Sequence, residues 1–267
     1  MKPRPRRAAV RPLLALPLGL VALLAFPSPA RALGDYIGGE AAPWFQNFSG
    51  EMAINDGSVN GTLVDFKDTL GLDNRDTAQM GRVWVRWSKR NRLIFDYADT
   101  TRSGSAVLAQ NFTFNGTTYG AGETVRTDLE LKLVQARTRF TFVNLKIVEA
   151  AFDLGVDLAK VDVQVNGSTT GHQNLSQNVP YPIVGASVVV KPLPGFHIRA
   201  EADGLSVNVS GNSVDTLDAR VQLEYYFMHV FGLFGGYRSF HASVDANDFG
   251  HVENRYQGPY VGLAVKF

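Results

Sequence analysis

The chain has 267 residues, of which 45% are hydrophobic and 11% aromatic, and no cysteine; a disulfide framework, a thiolate metal site and an acylated N-terminal cysteine are all excluded. Its formal charge of +1 hides an asymmetry. Lys2, Arg4, Arg6, Arg7, Arg11 and Arg31 stand in residues 1–32 without an acid, and setting those six aside leaves 20 basic against 25 acidic side chains, a net of −5. An acidic remainder argues against a nucleic-acid partner, which needs a basic patch, and a mean hydropathy of −0.06 is too polar for a chain built of membrane helices.

The first element is basic as far as Arg11, then apolar from Leu13 to Phe26 with Pro17 inside the run, then small at Ala30-Arg31-Ala32. Those three parts in that order predict a secretory signal peptide over 1–32, cleaved after Ala32, and one domain over 33–267. No later apolar run is long enough for a spanning helix, which takes about 20 residues.

What recurs instead is alternation with period two, the pattern of strands with two unlike faces. It predicts strands over 45–55, 79–90, 92–106, 125–143, 146–165, 181–192, 196–209, 216–228, 230–246 and 255–267. In the fifth, Val148, Ala150, Phe152, Leu154, Val156 and Leu158 oppose Glu149, Asp153 and Asp157. In the seventh, Phe196, Ile198, Ala200 and Ala202 oppose His197, Arg199, Glu201 and Asp203. In the eighth, Ala219, Val221, Leu223, Tyr225 and Phe227 oppose Arg220, Gln222, Glu224 and Tyr226.

A soluble sandwich also alternates, so length and connections decide. The stretches reach or exceed the 9–11 residues that a tilted strand needs to cross a bilayer. Tight turns at Arg90-Asn91, Asn144-Leu145, Leu193-Pro194 and Met228-His229 alternate with long polar connections over 56–78, 107–124, 166–180 and 247–254. Short turns on one side and long loops on the other are the habit of membrane barrels. Trp84, Trp87, Tyr225, Tyr226, Phe227, Phe231 and Phe234 fall near strand ends, where an interfacial girdle is expected. The fold class that follows is all-β: a transmembrane antiparallel up-and-down β-barrel of ten strands, with eight or twelve as the neighbouring even counts.

The last strand ends Tyr260-Val-Gly-Leu-Ala-Val-Lys-Phe267. Tyr260, Gly262, Val265 and Phe267 resemble the assembly signal of the bacterial outer-membrane β-barrel families. The resemblance implies residence in the cell outer membrane, insertion by the barrel-assembly machinery, and outer-membrane lipid as a partner. Gly61-Thr-Leu-Val-Asp-Phe-Lys-Asp-Thr-Leu-Gly-Leu-Asp73 is similar to an acidic stretch of uncharacterised proteobacterial barrel proteins and implies no activity. Oligomeric state is open at this point.

With the apolar faces toward lipid, Arg82, Arg86, Asp96, Arg137, Arg139, Glu149, Asp153, Asp157, Arg199, Glu201, Arg220, Glu224 and Arg238 line the lumen. Both signs are present in near balance. In a narrow barrel such charges pair and fill the interior, so a plug is favoured over a small polar pore.

The one catalytic-looking cluster is Arg238-Ser-Phe-His241-Ala-Ser243, with Asp245, Asp248, His251 and Glu253 after it. His241 and Ser243 share a strand face, which is what a Ser–His pair needs. The His-x-Ser spacing resembles that of outer-membrane lipid A deacylases, although those continue with Asn-Ala where Val244-Asp245 follows here. Omptin-type proteases, also ten-stranded barrels, use acidic and His residues at the external rim, a location shared by Asp245, Asp248 and His251 without a matching motif. His172, His241 and His251 lack the spacing of a metal-ligand set, and no glycine-rich loop joins a strand to a helix, so no metal and no cofactor are expected. The functional expectation is a non-enzymatic barrel with a structural, small-solute or surface-binding role. The alternative is an outer-membrane hydrolase acting on lipid A or peptides.

Overall fold

The computed structural model describes residues 35–55, 60–209, 212–227, 230–246 and 250–267. The predicted signal peptide over 1–32, the predicted turn at Met228-His229 and the candidate Asp248 lie outside the described residues. In chain order the strands are β1 Ile37–Ile54, β2 Val64–Asp65, β3 Arg75–Arg86, β4 Asn91–Val107, β5 Phe112–Phe114, β6 Thr117–Tyr119 and β7 Thr124–Asn144. There follow β8 Val148–Gly167, β9 Gly171–Leu193, β10 Phe196–Val209, β11 Asn212–Phe227, β12 Phe231–Ala246 and β13 Gly250–Lys266. Ten long strands pair antiparallel in the order β1-β3-β4-β7-β8-β9-β10-β11-β12-β13, and β13 pairs back onto β1. The wall is therefore closed, with β2 as one extra strand on β1 and β5-β6 as a separate hairpin.

Closure is made at the chain ends. Phe267 O accepts from the Tyr36 and Ile37 amides, and the Phe267 amide donates to Ile37 O at 2.8 Å. From there the register runs Gly38 against Lys266 up to Ile54 against Gly250. At the opposite end from these termini the strands outrun a bilayer. β7 has 21 residues and β9 has 23, whereas about 9–11 suffice to cross the apolar zone.

Two faces change character along each long strand. On the outside of β7, Val134 and Phe142 are exposed, as an apolar band facing lipid requires, while further up Arg126, Asp128, Glu130 and Lys132 point outward instead. Inside, Gln135, Arg137 and Arg139 are buried beside the apolar band, and Val125, Leu129, Leu131 and Leu133 are buried above it. β8 repeats the exchange: Phe152, Leu154, Val156 and Leu158 face out low on the strand, and Val163 and Val165 face in near its top. The lower half is thus apolar outside and charged inside. The upper half is polar outside and apolar inside, like a water-soluble barrel, because there the solvent outside is water.

This inversion explains where the predicted boundaries were too short. Residues 171–180 were expected in a loop but form the start of β9, so the β8–β9 connection is only 168–170. Likewise β13 starts at Gly250, β11 at Asn212 and β1 at Ile37. In Gly171-His-Gln-Asn-Leu-Ser-Gln-Asn-Val179 both faces carry polar residues, so no hydrophobic alternation marks the strand. Three aromatics expected in the girdle face the lumen instead: Trp84, Tyr226 and Phe234 are 2%, 6% and 3% exposed. Each sits one residue from lipid-facing neighbours, Val83 and Val85 in the first case, and strand parity sends it inward. Trp87, Tyr225, Phe227 and Phe231 do stand outside.

Candidate functional site

The lumen beside the apolar band holds a continuous lattice of ion pairs. Strand alternation aims Arg82, Asp96, Arg137, Arg139, Asp153, Glu201, Arg220 and Arg238 inward, as expected, and all are buried. Arg82 bridges the barrel, with Nε 2.8 Å from Asp96 Oδ1 and Nη2 2.7 Å from Glu201 Oε2 on the far wall. Arg137 reaches Asp96 Oδ2 at 2.9 Å and also pairs with Asp203. Arg139 holds Asp153 at 2.6 Å and Glu201 at 2.9 Å. Arg220 joins Asp96 to Asp218 and Arg238 binds Asp218 at 2.7 Å, while Arg199 links Glu40 to Glu224 in a separate set beside this lattice. Room for the lattice comes partly from glycine. A Cβ on Gly185 would stand 2.0 Å from Asp203 Oδ1, and one on Gly155 2.6 Å from the Arg137 Cβ.

Above the lattice lies an apolar layer. Trp44, Phe48, Met52, Leu129, Leu131, Phe240 and Tyr256 meet in one buried cluster with Phe66, Leu70 and Leu72 of the β2–β3 connection and Phe112, Phe114 and Tyr119 of the hairpin. The guanidinium of Arg238 lies 4.6 Å over the Trp44 ring, joining the two layers. Two cavities among the described residues, one beside Arg82 and Asp96 and one beside Trp44 and Phe240, measure about 10 Å³ each, about the space of one water.

Over this plug the 108–123 connection is tied down by Glu123. Its Oε1 accepts from the Thr169 and Thr170 amides at 2.8 Å each and its Oε2 from the Thr170 hydroxyl at 2.7 Å. Donors aimed at the ionised form hold this carboxyl down at about 2.

The wall itself is incomplete at the top. β10 pairs with β9 only as far as Gly204 against Val184. Above that, β9 pairs with β8 alone and β10 with β11 alone, so Gly171–Ile183 presents an open strand edge. Pro180 and Pro182 lie in that stretch, where a residue with no amide to donate is tolerated. Asn115 of the hairpin turn donates to Asn174 O at 3.3 Å, touching the edge without completing it.

The expected catalytic candidates lie elsewhere. His241 and Ser243 point out of β12 above the apolar band, with Leu217 and Asp215 across from them on β11 and Arg255 and Glu253 on β13. Among the described residues no hydrogen bond joins the pair, and His241 Nδ1 has no hydrogen-bond partner. Asp245 is committed to His251, Oδ1 to Nδ1 at 2.7 Å. His172 bonds to Asn166 at the β8–β9 tip. Sequence spacing missed Glu51, whose Oε1 lies 3.6 Å from His251 Nε2, because the two are 200 positions apart.

No protein-family model matches the chain, and no curated protein matches it. Solved structures do. The outer membrane protease OmpT from Escherichia coli superposes with a TM-score of 0.58 at 10% identity, covering 88% of this chain and 97% of that one. The translocator domain of the autotransporter NalP from Neisseria meningitidis gives 0.40 at 13%, covering 89% and 90%. Ail, the attachment invasion locus protein of Yersinia pestis, gives 0.38 at 13%, covering 86% and 99%. Identity this low shows the fold alone. A closed ten-stranded wall that is apolar outside and charged inside gives this chain the fold of the bacterial outer-membrane β-barrels.

Proposed function

We propose that this is a non-conducting, non-enzymatic barrel whose working part is its extracellular half, a surface-binding protein. The sealed lumen carries the reading. Paired charges and a buried apolar layer occupy the path a solute would take, and balanced charge provides no selective field for an ion. Outside the membrane stand strands far longer than spanning requires, a capped top and the open edge of β9, which offers backbone donors and acceptors to a ligand. Contact with outer-membrane lipid and insertion by the barrel-assembly machinery belong to the same reading, supported by the apolar band and by the Tyr260–Phe267 ending.

The test is electrical. Purified barrel in planar bilayers is expected to show no steady conductance, and large stable channels would overturn the proposal. Hydrolysis of lipid A or peptides that disappears in Ser243→Ala would overturn its non-enzymatic half.

A further inference from the structure

On the outer wall of the extracellular half, the register lines up acids on adjacent strands. Glu51 of β1 stands directly opposite Glu253 of β13 and, on its other side, opposite Asp65 of β2. Glu253 in turn stands opposite Ser243 of β12, which faces Asp215 of β11. Four carboxylates thus lie in one row across five strands, and like charges directly opposite each other are destabilising. Two of them already have partners. Asp65 Oδ1 caps the Lys67 and Asp68 amides, and Asp215 bonds to Ser206. The central two, Glu51 and Glu253, face an imidazole.

That imidazole is held in one orientation. His251 Nδ1 lies 2.7 Å from Asp245 Oδ1, so Nδ1–H donates to the carboxylate and the Nε2 lone pair is left toward Glu51, 3.6 Å away. One ligand atom each from Glu51, His251 and Glu253 lie within 4.8 Å of one another. Two ligands bound to one tetrahedral zinc at about 2.0–2.2 Å are themselves about 3.4 Å apart. The His251–Glu51 pair already has nearly this separation, and both glutamates are half-exposed side chains with torsions free to close the remainder. A carboxylate behind the ligating imidazole is the usual support of such a ligand.

We propose that Glu51, His251 and Glu253 bind a divalent transition-metal cation, with zinc as the best match, on the outside of the barrel, Asp245 being the positioning residue for His251. One imidazole nitrogen and two carboxylate oxygens suit zinc and leave a fourth position for water. Calcium and magnesium, which take oxygen ligands only, fit poorly. The ion would neutralise the opposed glutamates and tie the first strand of the barrel to the last at the far end of the seam from Phe267.

The full mature chain, refolded in detergent micelles without an affinity tag, is titrated calorimetrically with zinc and then with calcium. One zinc site per chain is expected, with no comparable calcium site. His251→Ala and Glu51→Gln should each abolish it, Asp245→Asn should weaken it about 10- to 100-fold, and His172→Ala should leave it intact. Zinc should also raise the unfolding midpoint of the parent but not of His251→Ala, with the folded state of every variant checked by heat-modifiable gel migration. No zinc binding by the parent, or binding that persists unchanged in the doubly substituted Glu51→Gln, His251→Ala protein, would overturn the site.

Discussion

At the scale of single residues, burial gives the lumenal charges their weight. Arg137 is fully enclosed and touches Asp96, Asp153, Glu201 and Asp203. Removing one member of a buried ionic cluster strands its partners, at a cost of about 3–5 kcal/mol. Arg137→Met is therefore expected to lose stability in that range, read from urea titrations of folding into lipid vesicles, and an unchanged midpoint would mean that water solvates the lattice. Glu123 behaves differently because it lies outside the membrane. Its carboxyl is held at about 2 by Thr169 and Thr170, below the roughly 4.3 of a free glutamate. A depressed folded value makes its contribution present above pH ~4.3 and lost as pH falls toward 2. Between those values the 108–123 connection should become sensitive to acid-active protease in the parent, whereas in Glu123→Gln its sensitivity should be independent of pH over the same window.

At the scale of elements, the exchange of faces along β7 and β8 locates the membrane surface. Leu158 faces lipid opposite Val134, while the next outward pair upward is Lys160 opposite Lys132. A charge on the same outer face should then cost very different amounts at two heights. Leu154→Arg, in the apolar band, is expected to cost about 2–4 kcal/mol near the midplane, while Gln164→Arg, above it, should stay within about 0.5 kcal/mol, as surface changes do. Equal costs in vesicle-folding titrations would place both positions in one environment. The exchange was legible in principle. Apolar residues fall on odd numbers at Val125, Leu129, Leu131 and Leu133 and on even numbers at Val134, Ala136, Phe140 and Phe142. That phase slip is the mark of two media outside one strand. The same logic explains why 171–179 escaped notice, since a segment wet on its outer face and mixed on its inner face, where Gln173 and Gln177 stand between Leu175 and Val179, carries no clear period to read.

At the scale of the whole molecule, the seam decides whether a sheet becomes a barrel. Phe267 contributes both its carbonyl and its amide to the first rungs between β13 and the start of β1. Deleting Phe267 removes those rungs along with the terminal aromatic. The yield of heat-modifiable barrel, in cells and on refolding into lipid, is expected to fall well below the parent's. Parent-like yield in both settings would show that closure starts higher, near Met52 against Val252. Above the apolar band, β9 and β10 part after Val184 and Gly204, so the wall formed by residues 35–267 is closed in the band and interrupted above it.

The sequence by itself determined the class, the ten strands and the direction of the lumenal charges. These are local consequences of side chains alternating with period two against one apolar and one polar surrounding. Arg82, Asp96, Arg137, Arg139, Glu201 and Arg220 face inward for that reason alone. It also placed His241 and Ser243 on one face, opposite in parity to the inward Arg238 and therefore outward, but parity cannot say whether an outward face meets lipid or water. Only the tertiary structure decided that they stand above the apolar band, that Asp245 serves His251, and that Glu51 from the first strand lies beside His251 and Glu253 of the last. Contacts of that kind depend on which strands become neighbours when the barrel closes and at what register, and no period in the chain encodes a meeting between residues 200 positions apart.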